Sequence, residues 1–142
     1  MAKLNTNIVG TITELKCLTY FLELGYTVSV SQNVCRYDFI LDIGNKLFKI
    51  QVKTSMVLDY GLKFSTCSSH YIKGKHTHTD YTKDNIDFFC TWYKNEVYLV
   101  PVKECGKSQK ILREKRTENH QNKNISYLEN YLAKNILKNL GL

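Results

Sequence analysis

The chain has 142 residues, 43% of them hydrophobic and 23% charged, with a formal net charge of +7. This is enough chain for one globular domain with a real core, and too apolar for a disordered segment. The positive excess points to a polyanionic partner, with nucleic acid the first candidate, over a solvated surface without one.

The opening stretch, MAKLNTNIVG, has no leader pattern. No run approaches the roughly 18–20 apolar residues of a membrane helix, so a soluble, cytoplasmic protein with no membrane partner is expected. Residues 5–24 follow a helical period, with an apolar stripe at Ile8, Ile12, Leu15, Leu18, Thr19 and Leu22. Asn5 or Asn7 suits the N-cap and Gly25 the position after the C-cap. Residues 26–32 (YTVSVSQ) alternate and are rich in β-branched side chains, as a strand does.

In the run RYDFILDIGNKLFKIQVKTS, two alternating segments flank Gly44-Asn45, which reads as a hairpin with glycine first in a type II′ turn. A two-residue turn there pairs Ile43 with Lys46, Leu41 with Phe48, Phe39 with Ile50, Asp38 with Gln51 and Arg36 with Lys53. Tyr37, Phe39, Leu41, Phe48, Ile50 and Val52 then share an apolar face, and Asp38, Gln51 and Lys53 share the other.

Residues 61–67 read as a further strand and 68–85 as a polar, basic excursion. Strands are expected at 86–93 and 96–102, joined by Lys94-Asn95 and ending or edged at Pro101. Residues 103–124 carry seven Lys/Arg and three Glu. Residues 126–140 read as a helix with the capping box Ser126-x-x-Glu129, the stripe Leu128, Leu132, Ile136 and a stop at Gly141, buried in the core or against a second subunit. The order predicts an α/β fold, a central mixed sheet flanked by helices, in a single domain spanning residues 1–142.

The five cysteines are odd in number and form no CxxC pair, which fits reduced packing thiols. Cys67-x-x-His70 with His76 and His78 suggests zinc, but no second pair has standard spacing. The cluster of Asp38, Gln51 and Lys53 has two readings. It is either a solvated outer face or a metal-assisted hydrolysis site, with oxygen ligands for Mg²⁺ and an ammonium for developing negative charge.

Asp38 in YDF, followed by Gln51-Val52-Lys53 in IQVKT, resembles the signature of the PD-(D/E)XK superfamily, the restriction-endonuclease-like fold. Glu14 in GTITE matches the supporting acid on the preceding helix. The departure is Gln51, where the pattern usually has an acid. LGY at 24–26, FSTCSS at 64–69, YTKDNIDFF at 81–89 and VYLVPV at 97–102 extend the likeness. The ordered set is similar to the small homing endonucleases encoded within group I introns, a branch typified in cyanobacteria, over roughly residues 5–125.

The resemblance implies a restriction-endonuclease-like core and a Mg²⁺- or Mn²⁺-dependent endonuclease that cuts long double-stranded DNA sites. It also implies a homo-oligomer, dimer or tetramer. Asp38, Gln51, Glu14 and the Val52 carbonyl would hold the metal, and Lys53 would orient water or stabilise charge. The alternatives for these residues are a turn-forming Asp38, a Gln51–Asp38 hydrogen bond, a Lys53–Asp38 salt bridge, and Glu14 in a capping box with Thr11. Gly10, one turn before Glu14, would let the helix approach the sheet or DNA closely.

The candidate DNA contacts are Lys63, Ser65, Ser68, Ser69, His70, Lys73, Lys75, His76, His78, Lys83 and Arg113. Arg113 belongs to a second basic segment with Lys107, Lys110, Lys115 and Arg116 that reads as a backbone-contacting arm. Asp87 is a candidate to orient a site lysine or Tyr81. Two other functions share this fold: a Holliday junction resolvase and a DNA-binding protein that has lost its metal chemistry, the latter favoured by Gln51.

Overall fold

The computed structural model describes residues 2–119 and 123–140. A long helix, α1 (Thr6–Glu23), comes first, capped by Asn5, whose Oδ1 accepts the Asn7 N–H at 2.8 Å. A five-stranded sheet follows from β1 (Thr27–Ser29), β2 (Phe39–Ile43), β3 (Lys46–Val52), β8 (Phe88–Tyr93) and β9 (Glu96–Pro101), in that spatial order. Its pairings are antiparallel except β3 with β8, which run parallel.

The expected hairpin register is present, with Phe39 opposite Ile50 and Ile43 opposite Lys46. Gly44 supplies the positive φ, 68°, that a type II′ turn requires at its first position. Ladder pairing stops at Phe39, and beyond it Lys53 donates its N–H to the Cys90 carbonyl. Arg36 and Lys53 are therefore not strand partners.

Both faces of the sheet are covered. Phe39, Leu41, Ile50, Val52, Cys90 and Leu99 pack with Cys17 and Phe21 of α1 and with Ala133 and Leu137 of α2 (Ala133–Asn139). Each large apolar side chain buried here contributes roughly 1.5–3 kcal/mol. On the other face Phe89, Tyr93 and Val100 meet Leu62, Phe64 and Leu112. Those last residues come from a second, three-stranded sheet of β4 (Met56–Leu58), β5 (Gly61–Ser65) and β10 (Gln109–Arg113), with β5 in the middle. At Gly61 any side chain would strike the Leu112 backbone oxygen.

Four sequence expectations change. First, 68–85 is no loop: β6 (Cys67–Ile72) and β7 (Lys75–Asp80) form a separate two-stranded ribbon. Its turn has positive φ at both Lys73 and Gly74, the type I′ geometry that suits a hairpin. The ribbon is polar on both sides, so no apolar alternation betrays it.

Second, the helix expected over 126–140 shrinks to α2, preceded by a 3-10 turn at Leu128–Tyr131. Leu128 is buried on one side of the sheet and Ala133 on the other, so the chain must pass the edge strand β9, where Leu132 bridges to Tyr98. Ser126 consequently caps no helix, and Leu132 is the N-cap of α2. Gly141 lies outside the described residues.

Third, most of the apolar stripe of α1 faces outward, with Ile8 50%, Ile12 38%, Leu15 56% and Leu22 49% exposed, while Leu18 packs against the core. The buried side of the helix is Thr13, Cys17 and Phe21. Fourth, a Cβ at Gly10 would meet no atom within 4 Å, so this glycine brings the helix no closer to the sheet. No described helix is long and apolar enough to cross a membrane.

Candidate active site

Asp38 stands just before β2, its N–H bonded to the Ile50 carbonyl at 2.8 Å. Its Oδ2 accepts the Val52 N–H at 2.7 Å, which commits one carboxylate oxygen. The other has no hydrogen bond among the described residues, so it is available to a cation. Burial raises the Asp38 pKa above the ordinary value, opposed by the Val52 N–H and the charge of Lys53.

Gln51 does not bond Asp38; its Nε2 donates to the Val52 carbonyl at 3.3 Å. Lys53 makes no salt bridge with Asp38. Its Nζ donates to the Cys67 carbonyl at 3.2 Å and lies 4.9 Å from the centre of the Tyr81 ring. Burial holds the Lys53 pKa below the usual lysine value, an effect that Asp38 and Cys67 oppose and Arg36 reinforces.

Glu14 is in mid-helix, far from the cap at Asn5, so the Thr11 capping box is not formed. Glu14 and Asp38 line one cleft together with the 30–37 loop. Burial and then the charge of Asp38 raise the Glu14 pKa. The Glu14 and Asp38 carboxylates that line this cleft, with the Gln51 amide and the Val52 carbonyl at the hairpin end, are hard oxygen donors that could hold a divalent cation.

Hydroxyl groups that sequence reasoning missed hold this site. Thr91 Oγ1 donates to the Lys53 carbonyl at 2.7 Å. Thr54 Oγ1 donates to Thr13 Oγ1 at 3.1 Å, joining the end of the motif to α1 one residue before Glu14. Asp87 plays no part at Lys53 or Tyr81. Its Oδ2 accepts the Lys49 N–H at 2.8 Å, closing the parallel seam of the sheet.

The expected DNA contacts divide. Ser68, Ser69, His70, Lys73, Lys75, His76 and His78 lie on the ribbon, which the ladder divides into two faces. Cys67, Ser69, Tyr71, His76 and His78 share one face and His70 is on the other. Cys67 Sγ lies 3.6 Å from His78 Nδ1, but no three His, Cys, Asp or Glu side chains converge as a metal cage among the described residues, so the zinc pattern is not assembled.

Ser65 and Lys63 are on β5 beside Gln109 of β10. Lys83 is elsewhere, lining an apolar pocket with Phe48, Phe88 and Ile136. The second basic segment is largely engaged within the fold. Arg113 stacks 4.3 Å from the Tyr60 ring, Lys110 donates to the Glu104 carbonyl at 2.8 Å, and Arg116 pairs with Glu129 at 2.6 Å.

The profile of the PD-(D/E)XK endonuclease family matches residues 4–134. The chain belongs to this family. Its fold is similar to that of a bacterial homing endonuclease, I-Ssp6803I, with a TM-score of 0.74 at 20% identity, covering 96% of this chain and 95% of that one. No relative emerges among curated protein sequences. Asp38, Gln51 and Lys53 stand at one end of the β2–β3 hairpin, Asp38 just before β2, Gln51 within β3 and Lys53 just after it.

Proposed function

We propose that this PD-(D/E)XK nuclease is a Mg²⁺-dependent, site-specific endonuclease of double-stranded DNA, of the homing type, that works as a homo-oligomer. The observation that carries the reading is the cleft shared by Glu14 and Asp38, with the half-buried Lys53 just past the end of β3. Asp38, Glu14, the Gln51 amide oxygen and the Val52 carbonyl would hold the cation. Once bound, Mg²⁺ supplies charge neutralisation at the scissile phosphate and a lower pKa for the attacking water.

The chain's own groups do the rest. Asp38, anchored by Val52, fixes the height of the hairpin end relative to the phosphate. Lys53 directs its ammonium at the charge that develops on the phosphate oxygens, an interaction strengthened by its partial burial. Thr91 and Thr54 hold the strand so that Lys53 does not drift. The β6–β7 ribbon has the width of an element that fits the major groove, and it carries hydroxyls, imidazoles and Lys75 for base edges and phosphates.

Cutting both strands calls for two sites, hence a symmetric pair of chains. The outward stripe of α1 supports a second copy as its occupant. Ile8, Ile12, Leu15, Thr19 and Leu22 follow the alternating four- and three-residue spacing of a coiled-coil seam. Ile8 and Leu22 are equally distant from Leu15, so an antiparallel copy sets like against like.

The test is cleavage of a supercoiled plasmid library with Mg²⁺, beside Asp38→Ala and Lys53→Ala. Discrete cuts at one duplex sequence, lost in both variants, support the reading. Cutting confined to four-way junctions would replace it with a resolvase, and binding without cutting would make Gln51 the mark of an inactive DNA-binding protein.

A further inference from the structure

The β6–β7 ribbon shares no ladder with either sheet. A two-stranded ribbon on its own is marginal in water, so something must hold its direction. Arg36, two residues before Asp38, grips both strands at the root. Its Nη1 donates to Ser68 Oγ on β6 at 2.8 Å, and its Nη2 donates to the Asp80 carbonyl on β7 at 2.8 Å. The guanidinium carbon lies 3.9 Å from the centre of the Tyr81 ring, immediately after β7.

Tyr81 in turn packs edge-on against Phe89, 5.3 Å between centres, and Phe89 is the β8 partner of Gln51. Lys53 holds the same root through the Cys67 carbonyl. The signature hairpin and the ribbon are thus joined by two cations over one aromatic ring.

We propose that Arg36 is a positioning residue: it locks the ribbon to the catalytic hairpin and thereby sets which phosphodiester bond is cut relative to the sequence the ribbon reads. The inference rests on the nuclease reading above. The lever is long. Six residues of strand extend roughly 20 Å at about 3.4 Å each, so a swing of about 10° at the root moves the tip by roughly 3.5 Å, about one nucleotide along a DNA strand. The planar fork of arginine reaches both acceptors while stacking; a lysine ammonium reaches one of them at most and does not stack in this way.

The experiment compares wild type with Arg36→Ala, Arg36→Lys and Ser68→Ala. Cut positions are mapped to the nucleotide, kcat and KM are measured separately, and hydrogen exchange is followed across the chain. With Arg36→Ala, cutting is expected to spread over neighbouring bonds and kcat to fall about tenfold or more, while KM changes little. Amides of 67–80 should exchange faster and those of β2 and β3 stay protected. Arg36→Lys should resemble Arg36→Ala, and Ser68→Ala, which removes one arm of the fork, should show a smaller change of the same kind.

An unchanged cut position and kcat in Arg36→Ala would overturn the proposal. So would a rise in KM alone, which marks a simple phosphate contact, or full rescue by lysine. If Arg36→Ala loses protection throughout, Ser68→Ala becomes the deciding variant, and cut positions identical to wild type in it would overturn the proposal. If wild type itself cuts nothing, the nuclease reading fails. Ribbon exchange then decides separately whether Arg36 is the tie, and unchanged exchange in Arg36→Ala would show that it is not.

Discussion

Asp38 Oδ2 takes the backbone N–H of Val52 at 2.7 Å, at the point where the β2–β3 ladder ends. A side chain thus does what a backbone carbonyl would do one rung further along the hairpin. It satisfies the Val52 donor and holds a half-buried carboxylate beside Gln51 and Lys53. The arrangement is strained electrostatically rather than sterically, because burial opposes the charge that the site needs.

The first prediction follows from that opposition. Asp38 and Glu14 have folded pKa values above their ordinary 3.8 and 4.5. The folded protein therefore binds these protons more tightly than the unfolded chain. The stabilisation is complete below those ordinary values and is lost as pH rises through the raised folded ones. Asp38→Asn keeps an oxygen for Val52 and removes the charge. Urea melts of the metal-free protein at alkaline pH should show the variant at least as stable as wild type, with a flatter pH profile and no Mn²⁺ binding by calorimetry. A clear loss of stability would mean that the charge, not the acceptor oxygen, holds the hairpin end.

Gln51→Glu should move in the opposite direction. A third carboxylate beside Asp38 and Glu14 adds repulsion, lowering stability without metal and tightening Mg²⁺ binding. If affinity rises tenfold, saturating metal adds about 1.4 kcal/mol more stabilisation than in wild type. Thermal melts with and without Mg²⁺ measure it, and equal metal-induced shifts in the two proteins would remove Gln51 from the ligand set.

Lys53→Met removes the ammonium but keeps a long apolar stem over Tyr81. Single-turnover cleavage should slow roughly 10²–10³-fold, the usual loss for one electrostatic donor. DNA affinity measured in Ca²⁺ should change little. A matching loss of affinity would make Lys53 a binding residue only.

The ribbon tip offers a counting test. If Lys73 and Lys75 each neutralise one phosphate, replacing both with alanine should reduce the slope of log affinity against log salt by roughly 1.8, about 0.9 for each contact. An unchanged slope would place the tip away from the DNA backbone.

Leu15→Glu puts a charge at the centre of the outward stripe of α1, where the leucine side chain is not needed for the core. Light scattering should then show a smaller assembly than wild type, with the melting temperature at low protein concentration unchanged. A wild-type chain that is monomeric at all concentrations would rule out the helix seam.

Much of this protein is legible in the amino-acid order. Gly44-Asn45 and the alternation around it specify the β2–β3 register, because a one-residue slip would push Phe39, Leu41 and Ile50 into water. That register brings Asp38 and Gln51 to one end of the hairpin with Lys53 just beyond it, and the family match agrees with the resemblance those residues carry. The helical period correctly marks α1 but, Leu18 apart, not its buried side. Ile8, Ile12 and Leu15 are more apolar than Thr13 and Cys17, yet the sheet covers the latter.

What only tertiary structure decided has a common cause: contacts between segments distant in sequence leave no local period. The ribbon is polar on both faces and is tied down by Arg36, which lies 32 residues before Ser68 in the chain. The C-terminal segment reads as one helix, but the two faces of the sheet divide it between Leu128 and Ala133. The cleft shared by Glu14 and Asp38 exists because α1 lies against a sheet whose strands come later in the chain. A sequence states which side chains are available for chemistry; the raised pKa values of those carboxylates are properties of burial and proximity, which arise only when the chain has folded.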